Sequence, residues 1–322
     1  MRNKLVKFIS KWDTMSAILP LVILIILFSI TTKGFLSGYN LGSLGRGIGV
    51  TIVVGLAQLC VLAIGDFNLA LGSMACFSAI TTCGLMEVFG VDVATAVLAG
   101  IAMGMMLGLI EGLLITKTGI NPFIITLALS SIYLGLAIGL TKAALFQNLP
   151  ESFKAAGKLS LFGIPLLLII GIGIAAVMYF VITKTIIGRQ LLAVGANKRA
   201  ANFSGIRVNN IVISAHTLSG LMAGIAGIMM AAKLGVGQSS IGLDWMTISF
   251  AAPVLGGTLL SGGKVNIVGT VFGAALMHII SNGLIMINIS QYWFQTFMGL
   301  VLLGAYEIDR MRTKTLASQK AS

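Results

Sequence analysis

Acidic side chains are nearly missing from this sequence, which has nine Asp and Glu in 322 residues against 21 Lys and Arg. Charge of either sign makes up 9% of the chain, where a soluble domain carries roughly 25%. A chain this long folding in water needs a charged surface, and these residues cannot make one. So few carboxylates also leave no obvious pair for acid–base catalysis. Neither HExxH, CxxC nor GxSxG occurs. The only Gly-Gly-Lys is Gly262-Gly263-Lys264, with Thr258 and Val265 where a phosphate-cradling loop requires Gly and then Ser or Thr. The chain therefore has no nucleotide cradle of its own. Its three cysteines, Cys60, Cys76 and Cys83, all lie in apolar runs. An odd count in such places excludes a disulfide framework and marks buried free thiols. Two thiols, Cys76 and Cys83, make a poor metal site, so no metal centre is expected.

What is abundant is apolar. Hydrophobic residues make up 57% of the chain, and a surface so poor in charge must face lipid. The net charge of +12 would point to nucleic acid in a soluble protein. Here the basic residues fall between apolar runs and not on one face, so they report membrane topology. Apolar runs of spanning length lie near residues 15–32, 47–65, 70–90, 93–115, 122–140, 162–182, 210–232, 245–260, 266–287 and 291–306. The run after Arg2, Lys4, Lys7 and Lys11 is long for a signal peptide and lacks a small-residue cleavage site, so it reads as an uncleaved first span. With the amino terminus inside, fifteen of the 21 basic residues fall in cytoplasmic segments and six outside. That bias favours an even number of spans with both termini in the cytoplasm. The expected fold is an all-α membrane protein of about ten transmembrane helices, in one domain covering residues 1–322. An eight-span arrangement with two re-entrant runs stays open, centred on the stretch from Gly47 to Phe89.

Glycine accounts for 40 residues, and much of it recurs at four-residue spacing. Gly100, Gly104, Gly108 and Gly112 form one series, and Gly220/Gly224 and Gly269/Gly273 repeat it. Small residues on one helix face let backbones approach closely in lipid. Packing within one subunit and a dimer seam both fit. A short echo links Gly65-Asp66-Phe67-Asn68 to Gly263-Lys264-Val265-Asn266, at a level chance can supply. The longest basic interruption, residues 183–209, has five basic and no acidic residues interleaved with Leu191, Leu192, Val194 and Phe203. It reads as a short amphipathic helix on the cytoplasmic surface, and residues 307–322 read as a polar cytoplasmic tail.

Ionisable residues inside spans cost roughly 2.5–3.5 kcal/mol each at the centre and mark the protein interior or a water-filled path. Asp66, Asn68, Glu111, His216, His278 and Asn282 are the main cases. Asp66 and Asn68 suit either a polar break lining a cavity or a plain turn between spans. Glu111 is placed to meet Lys117. The histidines suit interhelical hydrogen bonds. Asn121-Pro122 starts a helix, proline being at home in a first turn, and Tyr292 and Trp293 suit an interfacial anchor.

Three segments in order resemble the permeases of ribose/xylose/arabinose-type ABC importers. They are Gly188 through Ile206 (GRQLLAVGANKRAANFSGI), Val254 through Thr270 (VLGGTLLSGGKVNIVGT) and Asn121 through Leu127 (NPFIITL). The resemblance covers about residues 40–305. The sequence departs from the pattern where Asn68 takes an aspartate position and Asp66 a glycine position, and where Val265 follows the lysine. The resemblance implies a transport subunit and not an enzyme. It implies a second permease subunit, two ATP-binding subunits carrying ATP and Mg, a soluble extracytoplasmic binding protein, a small sugar-like substrate and a bacterial cytoplasmic membrane. It implies no nucleic acid and no cofactor on this chain. Gly195, Asn197, Arg199, Ala200, Ala201, Ser204 and Gly205 would couple to the ATPase through the 183–209 helix. Asp66, Asn68, Asn121, Phe123, Thr126 and Asn282 are candidates for the substrate path. Gly256, Gly257, Gly262 and Gly263 join the Gly100–Gly112 series as packing positions. The rival readings are a branched-chain amino acid permease and an ATP-independent transporter or channel. An intramembrane enzyme is disfavoured because no nucleophile motif is present.

Overall fold

A computed structural model describes residues 20–289, with Ile18, Trp293, Thr296, Gly299, Leu300 and Leu303. Most of the expected tenth span (291–306), the tail and most of the segment before Pro20 lie outside the described residues, as does Tyr292. The described chain is mostly helical. In order it contains α1 (Pro20–Thr31), α2 (Gly38–Leu62), α3 (Leu71–Glu87), α4 (Val93–Thr118), α5 (Pro122–Thr141) and α6 (Glu151–Lys158). The β1 (Ser160–Leu161) and β2 (Ile164–Pro165) hairpin follows, then α7 (Leu166–Lys184), α8 (Ile186–Ala196) and α9 (Lys198–Phe203). The last are α10 (Val208–Leu234), α11 (Trp245–Leu255) and α12 (Ile267–Met286).

Six of these, α2, α4, α5, α7, α10 and α12, are long and apolar enough to cross a bilayer. Their ends carry expected stop signals. Asp92 and Asn266 cap the first turns of α4 and α12 by accepting from Thr95 N and Gly269 N. Asn121 caps α5 with Pro122 just inside it, and Gly119 and Gly235 close α4 and α10 in the left-handed conformation. α2 is the central element: 89% of its spanning stretch is buried, against 28% for α4, α5 and α7, whose Leu98, Ile124, Leu127, Leu136, Val177 and Phe180 face outward. Such an apolar outer belt suits lipid.

The glycine series on α4 packs onto α10 within the chain. A side chain at Gly104 would strike Gly220 and Gly224, and one at Gly108 would strike the His216 carbonyl and Gly220. A second seam joins α11 to α12, where Gly256 meets Gly269 and Gly273 meets Ala252.

Two irregular stretches shape the bundle. α11 has 11 residues, about 16 Å at 1.5 Å per residue, which is too short to cross a core of about 30 Å. The expected span 245–260 is therefore a half-helix fed by an irregular run of turns, residues 236–244. That segment runs along α3, with Gly237 against Cys83, the Ser239 carbonyl accepting from Cys76 Sγ, and Gly242 against Gly72. Backbone of this kind survives at membrane depth only where protein buries it. The other break, residues 63–70, joins α2 to α3. It meets the 256–266 turn: Gly263 N donates to the Ala63 carbonyl at 3.0 Å, and a Cβ on Gly65 (φ +76°) would lie 2.9 Å from the Ser261 oxygen. The two sequence-echo segments are thus spatial neighbours.

Candidate functional site

The 183–209 stretch forms two helices, α8 and α9, with a sharp corner at Asn197, whose side chain caps α9 by accepting from Ala200 N. α8 buries Gly188, Leu191 and Val194 along one face, which is the spacing of an amphipathic helix. Its end is wedged into the bundle: a Cβ on Gly195 would collide with the Ala63 carbonyl and with Gly263 N, at 2.5 Å from the latter. α8 thereby touches the 63–70 break and the 256–266 turn at once. Beyond that wedge the polypeptide is exposed at Asn197, Lys198, Arg199, Ala200, Ser204 and Gly205, while Ala201 is buried beneath them. Phe203 stands 91% exposed on this basic surface. A fully exposed aromatic flanked by Arg199 and Arg207 has the makings of an interface anchor.

From this surface a line of charge runs inward. Lys198 Nζ, half exposed, donates to Asp66 Oδ1 at 2.9 Å. Asp66 Oδ2 lies 3.8 Å from His216 Nε2, beyond hydrogen-bond range. His216 Nδ1 is 2.5 Å from Glu111 Oε1. Asp66 is 5% exposed, and His216 and Glu111 are fully buried. The four groups alternate in sign when His216 is protonated, so the line is neutral overall. Alternation is what lets buried charge persist in a low-dielectric interior. Burial, the largest influence on the Asp66 carboxyl, acts to raise its pKa. The His216 ring and the Lys198 ammonium outweigh it and hold the carboxyl below its ordinary range. Glu111 therefore meets His216 across the α4–α10 seam and not Lys117, which is exposed. The sequence placed Glu111 near the interface because distance along a helix says nothing of the facing helix. Lys198 was not singled out at all. Its only signal was that it is a basic residue in a stretch free of acids, with Asp66 lying 132 positions away in sequence.

Asn68 is buried below Asp66, donating to Ser219 Oγ at 3.0 Å and accepting from Ala70 N at 2.8 Å. Thr126 is buried on α5, whereas Asn121 and Phe123 are exposed at its start. Asn282 forms a reciprocal amide pair with Asn40 at 3.0 and 3.2 Å, linking α12 to α2. The structure brings Asp66 and Asn68 together and leaves Asn121, Phe123, Thr126 and Asn282 apart from them. None of the six lines the cavity of about 180 Å³ found at the other end of the bundle, between α2, α10, α11 and α12. That cavity is walled by Thr51, Lys233, Asp244, Trp245, His278 and Ser281, among apolar neighbours. Of these only His278 stood out in the sequence, because a histidine in an apolar run is conspicuous and a lysine at a helix end is not.

Residues 43–306 match the family described as branched-chain amino acid transport system / permease component. Over 305 residues the chain is 30% identical to the D-allose transport system permease protein of Escherichia coli K12, covering 94% of this chain and 93% of the relative. It is 32% identical to the ribose import permease protein of Bacillus subtilis 168, covering 97% of each. It is also 32% identical to the L-arabinose transport system permease protein of E. coli K12, covering 94% and 92%. No solved structure matches.

Proposed function

Since this chain belongs to the branched-chain amino acid transport system / permease component family, we propose that it is the membrane-translocation subunit of an ATP-binding-cassette importer for a monosaccharide. The observation that carries this reading is likeness, over nearly the whole chain, to permeases for allose, ribose and arabinose. The sugar class is preferred over amino acids because these relatives match end to end. The chain is a multi-pass protein of the bacterial cytoplasmic membrane. It is not the ATPase: the one Gly-Gly-Lys stands in the 256–266 turn with Thr258 and Val265 around it, and ATP and Mg belong to separate subunits.

In this reading about ten spans place both termini in the cytoplasm. Support comes from the way α8–α9, the 63–70 break and the 256–266 turn gather at one end of the bundle, the end where the basic residues concentrate. Two ATPase subunits dock on the exposed Asn197–Gly205 surface, and a second permease subunit completes the path. The Lys198–Asp66–His216–Glu111 line makes α9, the 63–70 break, α10 and α4 respond together when the ATPases close. ATP shifts the transport equilibrium only because the closed ATPase pair favours one permease state. A soluble binding protein delivers the sugar on the opposite side.

Reconstitution with the cognate ATPase and binding protein tests the reading. ATP-dependent uptake of an aldose is the expected result. Uptake by this chain alone, driven by an ion gradient, refutes it, and stimulation only by an amino acid-loaded binding protein refutes the sugar assignment.

A further inference from the structure

The cavity between α2, α10, α11 and α12 lies far from the docking surface. Lys233 is 25 residues along α10 from Val208, roughly 38 Å at helical rise. In the topology above that is the side on which solute arrives. Its volume of about 180 Å³ far exceeds the roughly 30 Å³ share of one water. Its wall is unusual for membrane depth. Among the described residues, nothing hydrogen-bonds the Lys233 ammonium, the His278 ring, the Trp245 indole or the Ser281 hydroxyl. Polar groups of this kind are costly unless they face a water-filled cavity or a passing solute.

The backbone is arranged to create the wall. His278 reaches the cavity only because position 47 on α2 is glycine, since any Cβ there would collide with the imidazole. Trp245 is presented by the start of the half-helix α11, which the turns of residues 236–244 lead into. Thr51 Oγ1 spends its proton on the Gly47 carbonyl at 3.0 Å and so offers acceptor lone pairs. The groups therefore comprise donors (Lys233, Trp245), an acceptor (Thr51) and two that do both (His278, Ser281). Lys233 and Asp244 bring charges of both signs to the wall. A buried indole adds an apolar ring face. This is the complement of a small neutral molecule that presents many hydroxyls and one flat apolar side.

We propose that this cavity is a binding site for a single monosaccharide-sized polyhydroxyl solute within one permease subunit, on the side from which solute arrives. The site rests on the importer reading and gives it a residence point for the sugar. Hydroxyls pair with Lys233, His278, Ser281 and Thr51, while Trp245 covers the ring.

The test is equilibrium binding to the assembled complex in nanodiscs, without binding protein, using radiolabelled D-ribose, L-arabinose and D-allose separately. ATP-driven uptake of the same sugars, with binding protein, is measured on the same preparations. Saturable binding of at least one imported sugar is expected, weakened at least tenfold by Ser281→Leu, which fills the cavity, and by His278→Phe, which keeps its shape. Ser281→Thr retains binding. A wild-type complex that imports one of these sugars but binds none, or a Ser281→Leu complex that binds like wild type, overturns the site and leaves the importer reading standing. A wild-type complex that imports none of the three under ATP overturns that reading and the site with it.

Discussion

Replacing Lys198 by Met removes the only group that hydrogen-bonds the Asp66 carboxylate from the exposed α8–α9 surface. Asp66 keeps its 5% exposure, so its charge stays buried with the His216 ring 3.8 Å away. A charge-assisted hydrogen bond contributes about 1.5–3 kcal/mol. Lys198 is half exposed, so solvent screening trims this to about 1–2 kcal/mol. That is a factor of roughly 5–30 in the population of the docked arrangement. Asp66→Asn costs less, because it leaves Lys198 free to reach water. The double variant Lys198→Met/Asp66→Asn has no stranded charge and is expected to be milder than Lys198→Met alone, since removing both partners of a pair is often nearly neutral. The assay is sugar imported per ATP hydrolysed in proteoliposomes, with a complete double-mutant cycle and Lys198→Arg as the conservative control. Singles whose costs add in the double variant place no coupling between the two residues and refute the argument. So does a Lys198→Met complex with the wild-type ratio.

Three further outcomes follow from the same geometry. Gly108→Leu forces α4 from α10 at His216 and Gly220 and is expected to cost at least about 1–3 kcal/mol by overpacking. It should appear as loss of monodisperse protein, while Gly135→Ala, with open space around it, leaves the yield unchanged. Glu111→Gln preserves a partner for His216 and Glu111→Leu does not, so thermal melting of the purified complex should fall by about 1–3 kcal/mol more in the leucine variant; equal losses would show that His216 needs no partner there. Asp66 has a depressed native pKa, so its contribution is present above the unfolded value near about 3.9 and is lost as pH falls through the lower native value. The melting difference between wild type and Asp66→Asn should stay flat from about pH 5 to pH 8 and narrow only in stronger acid; narrowing near neutrality would contradict the paired geometry.

Apolar length and caps made most of the helices legible. Asn121-Pro122 and Gly119 announced the α4–α5 junction, and the four-residue glycine spacing announced a close seam without naming its partner. Spacing fixes a face and never the facing helix, which is why α10 emerged only from coordinates. The 245–260 run misled for a related reason. Hydropathy registers that residues are out of water, and a half-helix with its following turn packed on α12 is as apolar as a full span in lipid. Gly237 and Gly242, which make the close approach to α3 possible, were the only hint. Asp66 was visible as a misplaced charge, yet its partners lie 132 and 150 positions away in sequence.

α10 is the element common to both ends. It carries His216 in the buried charge line and Lys233 in the cavity wall, 17 residues apart, or roughly 25 Å at helical rise. A continuous helix of that length is stiff, so displacement at His216 reaches Lys233 unless neighbours absorb it. The neighbour over the intervening stretch is α4, and the contact is glycine on glycine: Gly104 and Gly108 against Gly220 and Gly224. The Glu111–His216 contact holds α10 to α4 across that seam, so the two helices carry a displacement as one packed unit and both sites bias it. Intermediate position alone does not establish coupling. The decisive measurement is reciprocal: sugar binding in the cavity must shift the affinity of the ATPase subunits for the α8–α9 surface by the same factor by which their docking shifts sugar affinity. Lys198→Met should shrink both factors together.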